Sequence, residues 1–196
     1  MRKALKLAVT GNIGSGKSVV SRMLSIMGVP VYDCDSRAKA LMNSDPVIKE
    51  GLLRMFGDEC YGADGLLCRE WLAARIFTDE QNIKRVNALV HPRVKADFLA
   101  WADSSEADVV AVESAILYES GMIDTVDKVL VVWCDEDTSM QRVVAARGLS
   151  KQQVLNRLQN QMSADELLIL SDYSLRNDGE TPVLPALVEL LEELRR

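Results

Sequence analysis

The stretch GNIGSGKS, from Gly11 to Ser18, places glycine at 11 and 16 and follows them with Lys17 and Ser18. It matches the spacing G-x-x-x-x-G-K-[ST] of a phosphate-binding loop at every fixed position. The chemistry requires this pattern. Glycines let successive backbone N–H groups turn inward, where a side chain would block them. A helix beginning at about Lys17 adds positive partial charge at the same point. Lys17 would reach the β- and γ-phosphates of a nucleotide, and the Ser18 hydroxyl would ligate Mg2+. The apolar run LKLAVT (5–10) just before the loop reads as a strand, so the loop joins a strand to a helix.

The same alternation of short apolar runs and longer helical stretches continues along the chain. VPVYD (29–33), DVVAVE (108–113), KVLVVWC (128–134) and, more weakly, DYSLR (172–176) read as strands. Three of the five runs are almost continuously apolar, as expected of strands covered on both faces. The expected fold is α/β: a three-layer, doubly wound, five-stranded parallel sheet with a P-loop core, a helical substrate-binding insert and a lid. One domain spans 1–196, with core segments 1–34, 106–140 and 170–196, an insert at 35–105 and a lid at 141–169. Within the insert, Asp45-Pro46 reads as an N-cap and first helical position. Thr78 to Gln81 reads as a capping box, Pro92 as the start of a helix through Trp101, and 57–65 as a dividing turn cluster. Ser150 and Gln153 form a second capping box just after Arg142 and Arg147. TPVLPALVELLEELRR closes the chain as an amphipathic helix. Trp71, Trp101 and Trp133, with Met23, Met27, Met42 and Met55, are expected to pack.

The 196 residues are 48% hydrophobic and 27% charged, ordinary globular values. The formal charge is 23 − 29 = −6, which argues against a general nucleic-acid binder needing a broad basic face. Small anions remain open, because they need only a local cluster of cations. Lys6 interrupts the N-terminal apolar run, unlike a secretory segment. No window reaches the roughly 20 apolar residues of a membrane span. Cys34, Cys60, Cys68 and Cys134 show no C-x-x-C spacing, consistent with reduced thiols and a cytoplasmic setting.

A guanine-nucleotide switch would carry N-K-x-D and D-x-x-G, and neither string occurs. An assembly ATPase would carry an apolar run ending in Asp-Glu, whereas VVAVES has Glu113 alone. A small-molecule kinase is therefore favoured over a nucleotide sensor. Phosphoryl transfer to a hydroxyl needs a carboxylate to orient it and take its proton. VYDCDS offers Asp33, at a strand carboxyl end where α/β sheets bind ligands, and Asp35, which also suits a helix start. Glu113 keeps three readings: a ligand to Mg2+-bound water, a substrate contact or a local ion pair. His91, before a proline, reads as a substrate contact or as helix-start packing.

At this point the chain resembles the dephospho-coenzyme A kinase family from Leu7 to Gly179. TGNIGSGKS is similar to the family's TGGIGSGKS, followed by D-x-D at Asp33 and Asp35. VNALVHPRV resembles its L-x-x-[LI]-x-HP element, and ESAILYESG resembles its PLLFESG. QRVVAARGLSKQQVLNRLQNQ looks like its R-x-x-x-R-x-x-[ST] lid with R-x-x-x-Q, giving Arg142, Arg147, Arg157 and Gln161. SDYSLRNDG is close to AD-x-x-I-x-N-x-G, giving Asp172, Asn177 and Gly179. Six ordered elements are far more specific than the loop alone.

The resemblance implies ATP- and Mg2+-dependent phosphorylation of the ribose 3′-hydroxyl of dephospho-coenzyme A. It implies an ATP site of Gly11, Asn12, Ile13, Gly14, Ser15, Gly16, Lys17, Ser18, Val19, Arg142, Arg147 and Asn177. Acceptor contacts would come from Asp33, Arg37, His91, Pro92, Leu117, Tyr118 and Glu119. Asp33, Lys17 and Arg142 would act in catalysis, and Ser18 at the metal. A monomer or weak homo-oligomer without nucleic-acid or membrane partners is expected. The nearest alternative is a nucleoside or nucleotide kinase with another acceptor. Four positions depart from the family pattern: Asn12 replaces a glycine, Val19 a frequent threonine, Ala115 a proline and Glu113 an aspartate.

Overall fold

The computed structural model describes residues 3–76, 79–147, 150–158 and 161–196, with the side chains at 147, 151 and 155–157 outside the description. The expected capping role of Thr78 and the side-chain roles of Arg147 and Arg157 thus lie outside the described residues. Two compact units divide the chain, Met1–Asp33 with Trp101–Arg196, and Cys34–Ala100.

The first unit holds the sheet. Strands β1 (Leu5–Thr10), β2 (Val31–Asp33), β3 (Val109–Glu113), β4 (Lys128–Trp133) and β5 (Tyr173–Arg176) lie in the order β2-β3-β1-β4-β5. Every pairing is parallel, as the apolar runs imply. β2 is shorter than expected because Pro30 has no N–H to donate to a ladder, and only its carbonyl pairs, with the Ala111 N–H. Helix α1 (Lys17–Ile26) follows the glycine-rich loop.

The continuous apolar character of the strands has a direct use. Leu7, Val9, Val109, Ala111, Leu130 and Val132 join Val20 and Leu24 of α1 in one buried cluster, with Leu187, Leu190 and Leu191. The last three lie on the C-terminal helix Val183–Leu194, the expected amphipathic helix. The alternate strand residues Ala8, Val110, Val112, Val129 and Val131 are also buried. Side chains of a strand point to opposite faces, so both faces of the central strands are covered.

In the second unit, α2 (Cys34–Ser44), α3 (Pro46–Phe56), α4 (Arg69–Ile76) and most of α5 (Glu80–Asp103) follow one another. The turn cluster holds a short 3-10 turn at Asp58–Cys60 and an isolated bridge from Tyr61 to Leu67. Pro92 does not start a helix: it lies inside α5, a single helix of 24 residues. Its ring removes one interior hydrogen bond, but Val86, Val90, Val94 and Phe98 are all buried on one stripe across it. Burial on both sides outweighs the lost bond. At the start of α5, Asp79 accepts from the Gln81 N–H at 2.9 Å.

Asp45 caps α3 as expected, its side chain accepting from the N–H groups of Val47 and Ile48. The same buried carboxylate pairs with Arg93 at 2.7 Å. Burial pushes its pKa up, but the hydrogen bonds and the Arg93 charge outweigh this and hold it below the ordinary 3.8. Asp45→Ala is expected to cost about 1–2 kcal/mol of stability, the upper range for an N-cap. Because the folded value is depressed, the ionised group stabilises the fold above the ordinary pKa, and this is lost as pH falls through the folded value. Urea unfolding between about pH 7 and about pH 2 should show this loss in the native chain and a smaller one in Asp45→Asn. Equal acid sensitivity in the two proteins would remove Asp45 from the account.

Between β4 and β5 run α6 (Glu136–Arg147), α7 (Lys151–Leu158) and α8 (Ala164–Leu170), and Val183–Leu194 is α9. The box at Ser150 is present: the Ser150 N–H donates to Gln153 Oε1 at 2.9 Å, and the Gln153 N–H to Ser150 Oγ at 3.2 Å. Ser163 and Glu166 form another at α8. All four cysteines are free thiols. The tryptophans are half-buried and not core residues. Trp71 carries the Arg75 guanidinium 3.4 Å above its ring, and Trp101 packs on Tyr32 at 5.4 Å between centroids. Among the described residues no helix is long and apolar enough to cross a membrane.

Candidate active site

The loop between β1 and α1 is built by close backbone approach. Gly11, Gly14 and Gly16 have φ of 144°, 85° and 91°. A Cβ on Gly11 would lie 2.0 Å from the Val132 carbonyl oxygen, and one on Gly14 2.5 Å from that of Ser139. On Gly16 it would lie 2.0 Å from Asn177 Nδ2. Three elements therefore press on the loop: the end of β4, the first turns of α6 and the segment after β5. Within it the Ser15 N–H donates to the Asn12 carbonyl at 3.2 Å, and Lys17 Nζ donates to the same oxygen at 3.0 Å. Lys17 is only 8% exposed. The Ser15 hydroxyl is buried without a hydrogen-bond partner among the described residues, beside a cradle suited to phosphate oxygens.

Next to the loop the strand ends bring carboxylates to the first turn of α1. Ser18 Oγ donates to Glu113 Oε1 at 2.8 Å. Glu113 stands opposite Val9 of β1 on one side and Asp33 of β2 on the other. Asp33 and Glu113 are thus neighbours at the carboxyl edge, flanking the loop. On the other flank Arg142 Nη1 donates to the Asn177 carbonyl at 2.6 Å, and Asn177 Nδ2 donates to the Ser15 carbonyl at 2.9 Å. A Cβ on Gly179 would come within 3.6 Å of Arg142 Nη2, so this turn runs close under the arginine.

The structure therefore joins Gly11 to Ser18 with Asn177 and Arg142, and sets Asp33 beside Glu113. Val19, in the first turn of α1, is exposed. The residues after β3 are occupied by the chain itself. Leu117, expected at the acceptor, is buried at 1% exposure. Tyr118 donates its hydroxyl to the Leu170 carbonyl at 3.0 Å. Glu119 Oε1 accepts from the Met162 N–H at 2.9 Å. Asp172 takes the Val129 N–H and pairs with Lys128 at 2.8 Å, which aligns β5 with β4. In the second unit Arg37 forms a two-pronged pair with Asp97. His91 is held below its ordinary pKa by burial, and Pro92 is interior to α5.

Two residues near the loop were not among the expected site residues. Ser139 donates its hydroxyl to the Ile13 carbonyl at 2.5 Å. Gln161 accepts the Ile13 N–H at 3.1 Å and donates to the Ala115 carbonyl at 3.1 Å. No sequence pattern marks Ser139; Gln161 stood in the R-x-x-x-Q element without an assigned role.

A parallel sheet in this order, a glycine cradle at a helix N-terminus, and carboxylates and an arginine around it define a P-loop phosphotransferase. The dephospho-CoA kinase family model matches residues 5–182, and the chain belongs to that family. It is 39% identical over 189 residues to a dephospho-CoA kinase of Bacteroides fragilis (strain YCH46), covering 96% of this chain and 92% of the relative. It is 38% identical to one from Porphyromonas gingivalis, covering 97% and 95%. A crystal structure of TT1252 from Thermus thermophilus superimposes with a TM-score of 0.82 at 32% identity, covering 97% and 96%. Shikimate kinase from Bacteroides thetaiotaomicron shares the fold at a TM-score of 0.54 and 13% identity, covering 97% of each chain. The protein is a kinase that phosphorylates dephospho-coenzyme A with ATP, the last step of coenzyme A synthesis.

Proposed function

We propose that the γ-phosphoryl group passes to the ribose 3′-hydroxyl with Asp33 as the carboxylate that orients this hydroxyl and takes its proton. The register that sets Asp33 beside Glu113, itself bonded to Ser18, is the observation that carries the reading. It brings a carboxylate to the side of the cradle where a helix first turn meets the terminal phosphates. Lys17 and the loop N–H groups hold the phosphates, and Arg142, permanently charged, neutralises the transferring group. Asn177 links Ser15 to Arg142, so the walls of the nucleotide site are tied together. Arg37 and His91 are read as acceptor contacts, as the family resemblance implies, and Glu119 orders the segment after β3 through the Met162 N–H.

The oxygen donors at this place fit Mg2+, a hard cation that favours one or two protein oxygens with phosphates and water. Ser18 Oγ would bind it, and Glu113 would hold one of its waters. Among the described residues no cluster of three or more acidic, histidine or cysteine side chains forms a cage, which agrees with such shared binding. When bound, the ion offsets phosphate charge.

The assay is ADP release with dephospho-coenzyme A against nucleosides, nucleoside monophosphates and no acceptor, with the product's phosphate position read by NMR. Stimulation by dephospho-coenzyme A alone, with a 3′-phosphate in the product, is expected. Phosphate at another hydroxyl would remove the ribose 3′ assignment.

A further inference from the structure

The phosphate loop is held at its outer half by side chains from outside it. Ile13 is held at both of its backbone groups, in two successive peptides: its N–H by Gln161 Oε1 and its carbonyl by Ser139 Oγ. The Gln161 carboxamide spends its other end on the Ala115 carbonyl, in the segment that leads to Glu119. The next residue continues the seam. The Met162 N–H donates to Glu119 Oε1 at 2.9 Å, and the Met162 carbonyl accepts from Asn12 Nδ2 at 2.8 Å. Residues 161 and 162 thus stitch the loop to the segment after β3 through four hydrogen bonds. Asn12 supplies one of them, and its own carbonyl holds Lys17 Nζ.

We propose that Gln161 is a positioning residue for the nucleotide, with Asn12 adding a second tie through the Met162 carbonyl. The physical reason is preorganisation. A loop that turns N–H groups inward concentrates like partial charges, and an unclamped loop would relax by turning peptides outward. Fixing Ile13 at both of its backbone groups sets the path of the loop in advance, so binding does not have to order it. A glycine at 12 would leave this to Gln161 and Ser139 alone. The inference rests on the ATP site proposed above but needs no particular acceptor.

The test is the affinity for MgATP and for a non-hydrolysable analogue, by calorimetry, with dephospho-coenzyme A affinity and melting temperature measured alongside. Gln161→Met keeps length and removes both bonds. It should weaken ATP about five- to tenfold, the scale of one or two net hydrogen bonds, while dephospho-coenzyme A affinity stays within about twofold. Asn12→Ala should weaken ATP about threefold. Ser139→Ala acts on the other backbone group of the same residue, so Gln161→Met with Ser139→Ala should lose about as much as the worse single variant and not the product of the two. ATP affinity unchanged in Gln161→Met, or fully multiplicative losses in the double variant, overturns the proposal. A fall in both ligands' affinities that tracks melting temperature also overturns it, since that marks a general structural role. Should Gln161→Met fail to fold, Asn12→Ala and Ser139→Ala decide: both must weaken ATP. If no variant moves ATP while the ADP-release assay still succeeds, the inference fails and the function stands.

Discussion

Asp33→Asn should bind ATP within about twofold of the native protein and turn over about 10²-fold or more slowly, the scale of general-base assistance. The asparagine keeps the size of the side chain and its capacity to accept a hydrogen bond from a hydroxyl. It cannot take the proton. Asp33 lies on β2 and not in the loop that grips the phosphates, so nucleotide affinity should be insulated from the change. The position in the fold sharpens the expectation. Asp33 closes a three-residue strand paired in register with β3, and the carboxyl ends of such strands face the ligand crevice. Asp35, one residue into α2 (Cys34–Ser44), is the internal control: Asp35→Asn should stay within about threefold in kcat, the range of changes without a proton-transfer role. Single-turnover phosphoryl transfer, with ATP binding measured separately, distinguishes the two variants. Near-native turnover in Asp33→Asn would move the base elsewhere, and a loss in Asp35→Asn instead would name its successor.

What made the loop and the strand ends legible in advance was local. The phosphate loop is a contiguous pattern because each glycine meets a fixed obstacle, and the strands were legible because burial on both faces leaves no polar alternation. The D-x-D followed from where a strand must end. The misplacement of Pro92 came from the same local reasoning. Proline after a polar residue suits a helix start, but Val86, Val90, Val94 and Phe98 bury a stripe on both sides of it, and that is a tertiary fact. Leu117 is buried, and an apolar residue after a strand looks the same in sequence whether it faces ligand or core. The partners of Gln161 and Ser139 were beyond reach for another reason. The R-x-x-x-Q element marks Gln161, but a side chain bonded to a backbone group 148 positions away leaves no spacing that names its partner. The one hint was Asn12, a polar residue where this loop tolerates glycine, and its amide does have a distant partner.

Lys17→Ala should damage both affinity and rate, and this separates it from Asp33. The residue is 8% exposed, and its ammonium is anchored at 3.0 Å on the Asn12 carbonyl of its own loop. A hydrogen bond to a charged group contributes about 1.5–3 kcal/mol, so ATP affinity should fall by about ten- to a hundredfold. The cation also meets charge that shifts during transfer, where removing one preorganised donor typically costs about 10²–10³ in kcat. Lys17→Arg tests whether charge suffices. The guanidinium is a planar fork where the loop accommodates a compact point charge on a flexible stem, and a carbonyl at 3.0 Å leaves it little room. Arginine should therefore rescue neither quantity to within about tenfold of native, a gap of about 1.4 kcal/mol. Calorimetric ATP binding and saturating turnover read the two effects separately. Full rescue by arginine would reduce Lys17 to a bulk charge, and an alanine variant with native affinity and slow turnover would confine its role to the transition state.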